Sequence, residues 1–231
     1  LDSDADIYCQ AYTIDDNPTL PSEFVAQLKK EYAGTVYYNR FILGQWAAAG
    51  GIIYRPFADS IAADDKRFLW PADKPCKPWR VHIGVDFGGI LPYYSGVVGL
   101  ASQRVDPRNQ DADYLANQLL TFCLAVFARY GEIHYMFCDS AEQTLINHIR
   151  TRLRASKLYW LADRVNNSAK IQIIDRIRLT SILMGGGRFW YMPEAATLRD
   201  ALASALWSQK RPGVDERLDD GTTDIDTLDA F

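Results

Sequence analysis

The chain has 231 residues, of which 48% are hydrophobic and 23% are charged, and its formal net charge is −4. This composition is typical of a globular protein, and the length suits one domain of ordinary size or one domain with an accessory segment. No apolar run approaches the ~18 residues that a membrane-spanning helix needs, so the sequence excludes a transmembrane protein. The N-terminus has neither a signal-peptide pattern nor an initiating methionine, which suggests a fragment of a longer protein.

Positive and negative charges are distributed unevenly along the chain. Residues 145–190 contain nine Lys or Arg against two acids, whereas residues 211–231 contain seven acids against two Arg. This asymmetry suits a protein that binds phosphates with the help of metal ions, although a solvated helix face and an acidic tail would give the same pattern. The sequence has no GxxxxGK[ST], CxxC or HExxH pattern, so neither a P-loop nor a zinc site is expected.

The first 75 residues differ in pattern from the rest of the chain. They contain turn clusters, a Gly-Gly joint at 50–51 and one amphipathic helix, which we expect at Ser22–Tyr32 with Ser22 as its N-cap. Three prolines within residues 71–78 indicate a linker. We therefore divide the chain into an appendage, residues 1–75, and a main domain, residues 76–231.

In the main domain, short apolar runs alternate with segments of helical periodicity. The expected strands are residues 81–87, 95–105, 133–138, 158–161 and 188–192. The expected helices are 113–130, with Asp113 as its cap, 142–154, 168–184, 194–207 and one that starts at 224. The triple glycine at 185–187 should end the third of these helices. Strands followed by alternating helices and strands predict a layered α/β domain. Four tryptophans, Trp46, Trp160, Trp190 and Trp207, lie in apolar periods and are expected in the core.

Acidic residues follow two of the predicted strands. Asp86 ends the first strand and Asp139 follows the strand at 133–138, so both would lie at one sheet edge if these strands are adjacent and parallel. Asp226 and Asp229 would share one face of the last helix, where a positive group should offset their repulsion. Converging carboxylates without His or Cys describe a site for Mg²⁺ or Mn²⁺. Two such ions would support phosphodiester cleavage.

Several segments together resemble the C-terminal part of the large subunit of tailed-phage terminases. They are DDNP at 15–18, YNRFILGQW at 38–46, GIIYRPF at 51–57, GVDFG at 84–88, CDSA at 138–141 and DTLDAF at 226–231. In that family the first three join the packaging ATPase to an RNase H-like nuclease, with Glu more usual at the position of Gln45. The resemblance implies an RNase H-like α/β fold: a mixed central sheet flanked by helices, preceded by a helical or irregular linker.

The resemblance also implies which residues carry the chemistry. Asp86, Asp139 and Asp229 would be the catalytic carboxylates and the ligands of two Mg²⁺ or Mn²⁺ ions. Relatives often have His at the position of Asp226, so whether Asp226 joins the metal site stays open, and Asp224 is a weaker candidate. Relatives populate the region of Lys170 with basic residues, and we expect Lys170 to open a helix and either to contact DNA or to offset the charge of the carboxylates. Other candidates for binding DNA phosphates are Arg150, Arg154 and Arg176.

The implied function is that of a metal-dependent endonuclease domain that cuts concatemeric viral double-stranded DNA with little sequence specificity. Its partners would be DNA, the upstream ATPase domain of the same polypeptide, the small terminase subunit and the portal of the procapsid, in the host cytoplasm and without a membrane. One alternative is a non-catalytic module that docks DNA or the portal. Another is a nucleotide-binding domain of the actin and sugar-kinase type, which GVDFGG at 84–89 also resembles, but too few residues follow for its second half.

Overall fold

The structure is a computed structural model that describes residues 10–47, 49–78, 80–86, 89–91, 97–103, 111–139, 141–211 and 214–231. No helix in these ranges is both long and apolar enough to cross a membrane. The α-helices are α1 (Ser22–Tyr32), α2 (Arg55–Ala62), α3 (Ala112–Tyr130), α4 (Gln143–Arg154), α5 (Ile173–Gly185), α6 (Ala196–Ser204) and α7 (Ile225–Ala230). Shorter helical turns are found at Ile14–Asp16, Tyr38–Ile42, Lys66–Phe68 and Tyr159–Arg164.

The strands form a mixed sheet and a smaller parallel pair. They are β1 (Val81–Asp86), β2 (Gly89–Leu91), β3 (Val97–Gly99), β4 (Ile133–Cys138), β5 (Val165–Asn167) and β6 (Phe189–Tyr191). The mixed sheet has the order β2-β1-β4-β5, in which β2 is antiparallel to β1 and the other pairs are parallel, while β3 pairs with β6. A mixed central sheet flanked by helices confirms the expected α/β fold of RNase H-like type.

One hydrophobic core lies between the mixed sheet and the helices α3 and α4. Alternate residues of β1, and of β4 from Met136 onward, are buried there, and they pack against apolar residues that recur at helical spacing along α3 and α4. Its members include Ile83, Val85, Met136, Cys138, Leu119, Cys123, Ile146 and Ile149. Burying every second strand residue on this side leaves the other side of the sheet for the candidate site.

A second core joins the upstream segment to the last third of the chain. Phe57 and Phe68 are buried in one cluster with Phe189, which belongs to β6, and with apolar residues of α5 and α6. The Ile53 amide donates to the Ala205 carbonyl at 2.8 Å, and the Trp207 amide donates to the Gly51 carbonyl at 2.9 Å. Part of the expected appendage therefore packs with the main domain, and the boundary at residue 75 stays a prediction.

The start of α5 differs from the expectation. The helix begins at Ile173 rather than at residue 168, because the Ser168 amide donates to the Cys138 carbonyl at 2.7 Å and so extends the pairing between β5 and β4. The expectation that Lys170 opens a helix is therefore wrong, since Lys170 lies in the non-helical segment that precedes α5. The helix ends at Gly185, as the triple glycine predicts.

The expectation of a strand at residues 158–161 is also wrong. It forms the 3₁₀ helix Tyr159–Arg164, and β5 follows directly at Val165–Asn167. Leu158 and Leu161 are both fully buried, and a spacing of three residues places them on one side of a 3₁₀ turn. The strand expected at 95–105 is observed only in part: β3 covers Val97–Gly99, residues 100–102 lie outside any strand, and residues 95–96 and 104–105 fall outside the described ranges.

Two helix caps and the exposure of one tryptophan also differ from the expectations. Pro21, not Ser22, occupies the N-cap of α1, and Asp111 caps α3 by accepting a hydrogen bond from the Asp113 amide at 3.3 Å. Trp207 is buried as expected, but Trp46 is fully exposed, so its assignment to the core is wrong.

Candidate active site

The two strands that carry Asp86 and Asp139 are adjacent and parallel. Val85 is in register with Cys138, and the Asp139 amide donates to the Val85 carbonyl at 3.0 Å. Asp86 is the last residue of β1, so its backbone lies beside that of Asp139 at the carboxyl edge of the sheet. The side chain of Asp86 lies outside the described residues.

A groove of about 570 Å³ runs between the open side of the sheet and the helices α5 and α7. Asp139 lines it, is partly exposed, and accepts a hydrogen bond from the Ala141 amide through Oδ1 at 3.3 Å. Asp229 of α7 also lines it, although 90 residues separate the two aspartates in the sequence. Two of the carboxylates expected in the site therefore face one groove.

The short helix α7 is held in place by its own cap. Asp224 accepts hydrogen bonds from the Thr227 amide at 3.2 Å and from the Thr227 hydroxyl at 2.8 Å, which is N-cap geometry. Leu228 is buried in the second core, and this fixes the side of the helix that presents Asp229 to the groove. Asp226 is partly buried and is not among the residues that line the groove, so its role as a metal ligand stays a prediction.

Two arginines bind the carboxylate of Asp229. Arg176 donates from Nη2 to Oδ1 at 2.9 Å and from Nη1 to the backbone carbonyl at 3.2 Å, while Arg217 donates from Nη2 to Oδ2 at 2.8 Å. The positive charge expected near this acid is therefore present. The side chain of Arg217 is only 7% exposed and that of Arg176 is 34% exposed, so Arg217 is the more deeply held of the two.

Arg217 was not a candidate in the sequence, because it lies in the acidic C-terminal stretch outside any motif. In the structure it lies on an irregular ladder of isolated β-bridges and backbone hydrogen bonds that joins three segments of the chain. Trp207 and Arg217 form an antiparallel β-bridge, and the Leu218 amide donates to the Leu206 carbonyl at 2.8 Å. On its other side, the segment of Leu206 and Trp207 pairs with residues 51–53. Backbone pairing between segments distant in sequence therefore sets the position of this guanidinium.

The remaining candidates for DNA binding divide into two groups. Lys170 lines the same groove as Arg176. Arg150 instead donates to the Val165 carbonyl at 2.9 Å, and Arg154 donates to Asp163 at 3.2 Å, and neither lines the groove. Whether Arg150 and Arg154 bind DNA elsewhere stays a prediction.

Two further side chains of the groove are held in their neutral forms. Burial is the main cause that lowers the pKa of His82, so its imidazole is uncharged at neutral pH. Burial also raises the pKa of Tyr54. Tyr54 belongs to the upstream segment, which therefore contributes directly to the wall of the groove.

The described residues contain no group of three His, Cys, Asp or Glu side chains close enough to hold a metal ion. Asp139 and Asp229 nevertheless provide the oxygen donors that Mg²⁺ and Mn²⁺ prefer. Each carboxylate oxygen has two lone pairs, so Asp229 can accept from an arginine and still coordinate a cation. The side chains that face the groove are therefore compatible with a divalent ion.

No family model and no curated protein sequence matches this chain. Among solved structures, crystal form 3 of the large terminase from the thermophilic bacteriophage D6E aligns with a TM-score of 0.72 and 20% identity, over 95% of this chain. The complex of that terminase with ADP aligns with a TM-score of 0.72 and 21% identity, again over 95% of this chain. The chain thus has the fold of part of a phage large terminase, as the sequence motifs predict.

This chain spans about half of the D6E protein, covering 54% of it in crystal form 3 and 53% in the ADP complex. The large terminase nuclease from the thermophilic phage G20c aligns over 78% of this chain and 96% of its own length, with 16% identity. Its TM-score of 0.46 is too low to establish a shared fold.

Proposed function

We propose that this chain is the metal-dependent DNA endonuclease part of a phage DNA-packaging terminase large subunit. The observation that carries the proposal is that Asp139 and Asp229, from distant parts of the sequence, line one groove beside the end of β1. The fold shared with the D6E large terminase supports the same assignment.

In this proposal Asp139 and Asp229, with Asp86, hold Mg²⁺ or Mn²⁺. When bound, these ions activate a water molecule and stabilise the leaving oxygen of the cleaved phosphodiester. Arg217 keeps the Asp229 carboxylate facing the groove. Lys170 and Arg176 bind phosphates of the DNA strand, and such contacts carry no sequence information, so the nuclease would cut DNA of almost any sequence.

The proposal extends to the partners of a packaging motor. The substrate would be concatemeric viral double-stranded DNA in the host cytoplasm, and the ATPase would lie upstream on the same polypeptide. The small terminase subunit and the procapsid portal would be the protein partners. The pairing of residues 51–53 with the ladder that carries Arg217 supports a mechanical connection between the upstream segment and the site.

One observation favours a second candidate function, a non-catalytic module that docks DNA or the portal. Both oxygens of Asp229 accept hydrogen bonds from arginines, an arrangement that a purely structural ion-pair cluster would also show. In such a module the groove would bind phosphates and cleave nothing.

Nicking of supercoiled plasmid separates the two functions. The chain is incubated with plasmid in Mn²⁺, Mg²⁺ or EDTA, alongside Asp139→Asn and Asp229→Asn. Asp163→Asn is the matched control, because Asp163 is an exposed acid that pairs with Arg154 away from the groove. We expect metal-dependent nicked and linear products from the wild type and the control, and a loss of at least about 100-fold in both site variants.

Equal cutting by Asp139→Asn and the wild type would contradict the nuclease assignment. Absence of cutting in every metal, with all variants folded, would favour the docking module. Cutting that survives Asp229→Asn but not Asp226→Asn would transfer the role of third ligand to Asp226.

A further inference from the structure

The side of the sheet that forms the floor of the groove is partly aromatic. Phe137 and His82 both line it, their rings are stacked at 5.9 Å between centroids, and the planes differ by 4°. Gly84 is in register with Phe137 on the neighbouring strand and also lines the groove. Because glycine has no side chain, Gly84 leaves the space directly beside Phe137 open, while His82 of the same strand faces one side of the Phe137 ring.

The wall above this floor is apolar and partly exposed. Ile171, Ile173 and Leu179 line the groove with more than a third of their surface accessible, as does Phe137 itself at 37%. A contiguous exposed apolar surface inside a groove is typical of a ligand-binding site rather than of a solvated face. Its aromatic floor favours a flat ligand.

The charged end of the groove begins two residues after Phe137, at Asp139. Phe137 and Asp139 are two residues apart at the end of β4, which corresponds to about 6.6 Å along an extended chain and places both side chains on the same side of the sheet. This spacing is comparable to the distance between a base and its own phosphate. Lys170 and Arg176 supply positive charge for that phosphate, and His82 is neutral.

We infer that the groove contains a nucleobase subsite, in which an unpaired base of the DNA stacks on Phe137 while its phosphate lies between Asp139 and Lys170. The inference rests on the proposed function for the identity of the ligand as DNA. A base inside a duplex is stacked on its neighbours on both sides, so Phe137 can only take a base from a locally opened or single-stranded segment. The site would therefore prefer frayed, gapped or single-stranded DNA over intact duplex.

Stacking is measured without cleavage by using an oligonucleotide that contains 2-aminopurine, whose fluorescence falls when the base stacks on an aromatic ring. The probe is titrated into the wild-type chain in EDTA, once as a single strand and once as a fully paired duplex. Variants are Phe137→Leu, which keeps the apolar volume, Phe137→Trp, which keeps an aromatic surface, and Phe127→Ala. Phe127 is the matched control because it is 40% exposed and packs on Trp160, away from the groove.

We expect the wild type, Phe137→Trp and Phe127→Ala to quench the single-stranded probe, and Phe137→Leu to bind it roughly tenfold more weakly with little quenching. The duplex probe should be quenched much less than the single strand. Equal affinity and quenching in Phe137→Leu and the wild type would overturn the subsite, as would equal quenching of duplex and single strand. Absence of quenching in the wild type would also overturn the subsite, and a protein segment would then be the remaining candidate ligand of the groove.

Failure of this inference is distinguishable from failure of the proposed function. If plasmid is cut in Mn²⁺ but the probe is not quenched, the nuclease stands without the subsite. If the probe is quenched but no metal supports cutting, the subsite is part of a DNA-docking module that does not cleave DNA.

Discussion

At the scale of single residues, the pairing of Asp229 with Arg176 and Arg217 is the most informative feature of the site. The Arg217 guanidinium is almost fully buried, and a buried charge is tolerated only when it is paired and hydrogen-bonded. Asp229 supplies that partner, and the irregular ladder holds the backbone of Arg217. A carboxylate held in this way keeps one orientation, which is what a metal ligand needs.

Replacing Arg217 by methionine tests this dependence. The substitution keeps much of the side-chain volume but removes one of the two partners of Asp229, and we expect a loss of about 1.5–3 kcal/mol in the free energy of unfolding. Arg154→Met is the control, because the Arg154–Asp163 pair is exposed and should contribute less than about 0.5 kcal/mol. Urea unfolding of both variants gives the comparison. Equal losses would show that Arg217 is not a buried anchor for Asp229.

At the scale of elements, α5 connects the upstream segment to the groove. Arg176 of this helix faces Asp229, and Gly185 at its end lies directly against the last turn of α1. A Cβ atom on Gly185 would lie 2.2 Å from the Glu31 carbonyl oxygen, a distance that no relaxed contact allows. Glycine is therefore required for the two helices to approach each other.

Gly185→Ala should consequently destabilise the chain, although Gly→Ala within a helix normally stabilises it by about 1 kcal/mol. We expect a loss of at least about 2 kcal/mol, because α1 must move away from α5. Gly50→Ala is the matched control, since its Cβ would meet only the flexible Gln209 side chain, at 3.4 Å. Urea unfolding measures both. A stabilised Gly185→Ala variant would mean that α1 does not pack on α5 as the structure shows.

At the scale of the whole molecule, the groove separates two cores of different origin. The first core is built from one continuous part of the chain, around α3 and α4. The second core combines residues 53–69 with residues beyond 174, and Phe57 at its centre is fully buried. The wall of the groove that carries Asp229 belongs to the second core, so it depends on the upstream segment.

A chain truncated to residues 76–231 should therefore lose the second core. Removing Phe57 alone would cost about 3–5 kcal/mol by the precedent of Phe→Ala substitutions in cores, and the truncation removes Ile53, Tyr54 and Phe68 as well. We expect weak near-ultraviolet dichroism and binding of a hydrophobic dye in the truncated chain, but neither in the full chain. A truncated chain with native dichroism and a cooperative thermal transition would instead establish residue 75 as a true domain boundary.

Local patterns in the sequence predict much of this architecture. An apolar strand followed by an acid identifies Asp139, and the parallel pairing that brings its backbone beside that of Asp86 follows from α/β topology. The helical periodicity of α3 and α4 gives their bounds to within one residue. These features depend on residues that are close in the sequence, so the sequence alone predicts them.

Features that depend on contacts between distant segments cannot be predicted from local sequence patterns. Arg217 becomes important only because the ladder brings it to Asp229, and nothing local distinguishes it from Arg211. Lys170 has the periodicity of a helix, but the pairing of Ser168 with β4 delays the start of the helix until Ile173. Trp46 lies in an apolar period and yet is exposed, because no described element packs on it.

A calorimetric titration of the chain with Mn²⁺ shows whether Asp139 and Asp229 act together at one divalent-metal site. We predict saturable binding by the wild type and by Asp163→Asn, and at least about tenfold weaker binding by both Asp139→Asn and Asp229→Asn. Wild-type affinity in both site variants, or no binding by the folded wild type, would contradict such a joint site.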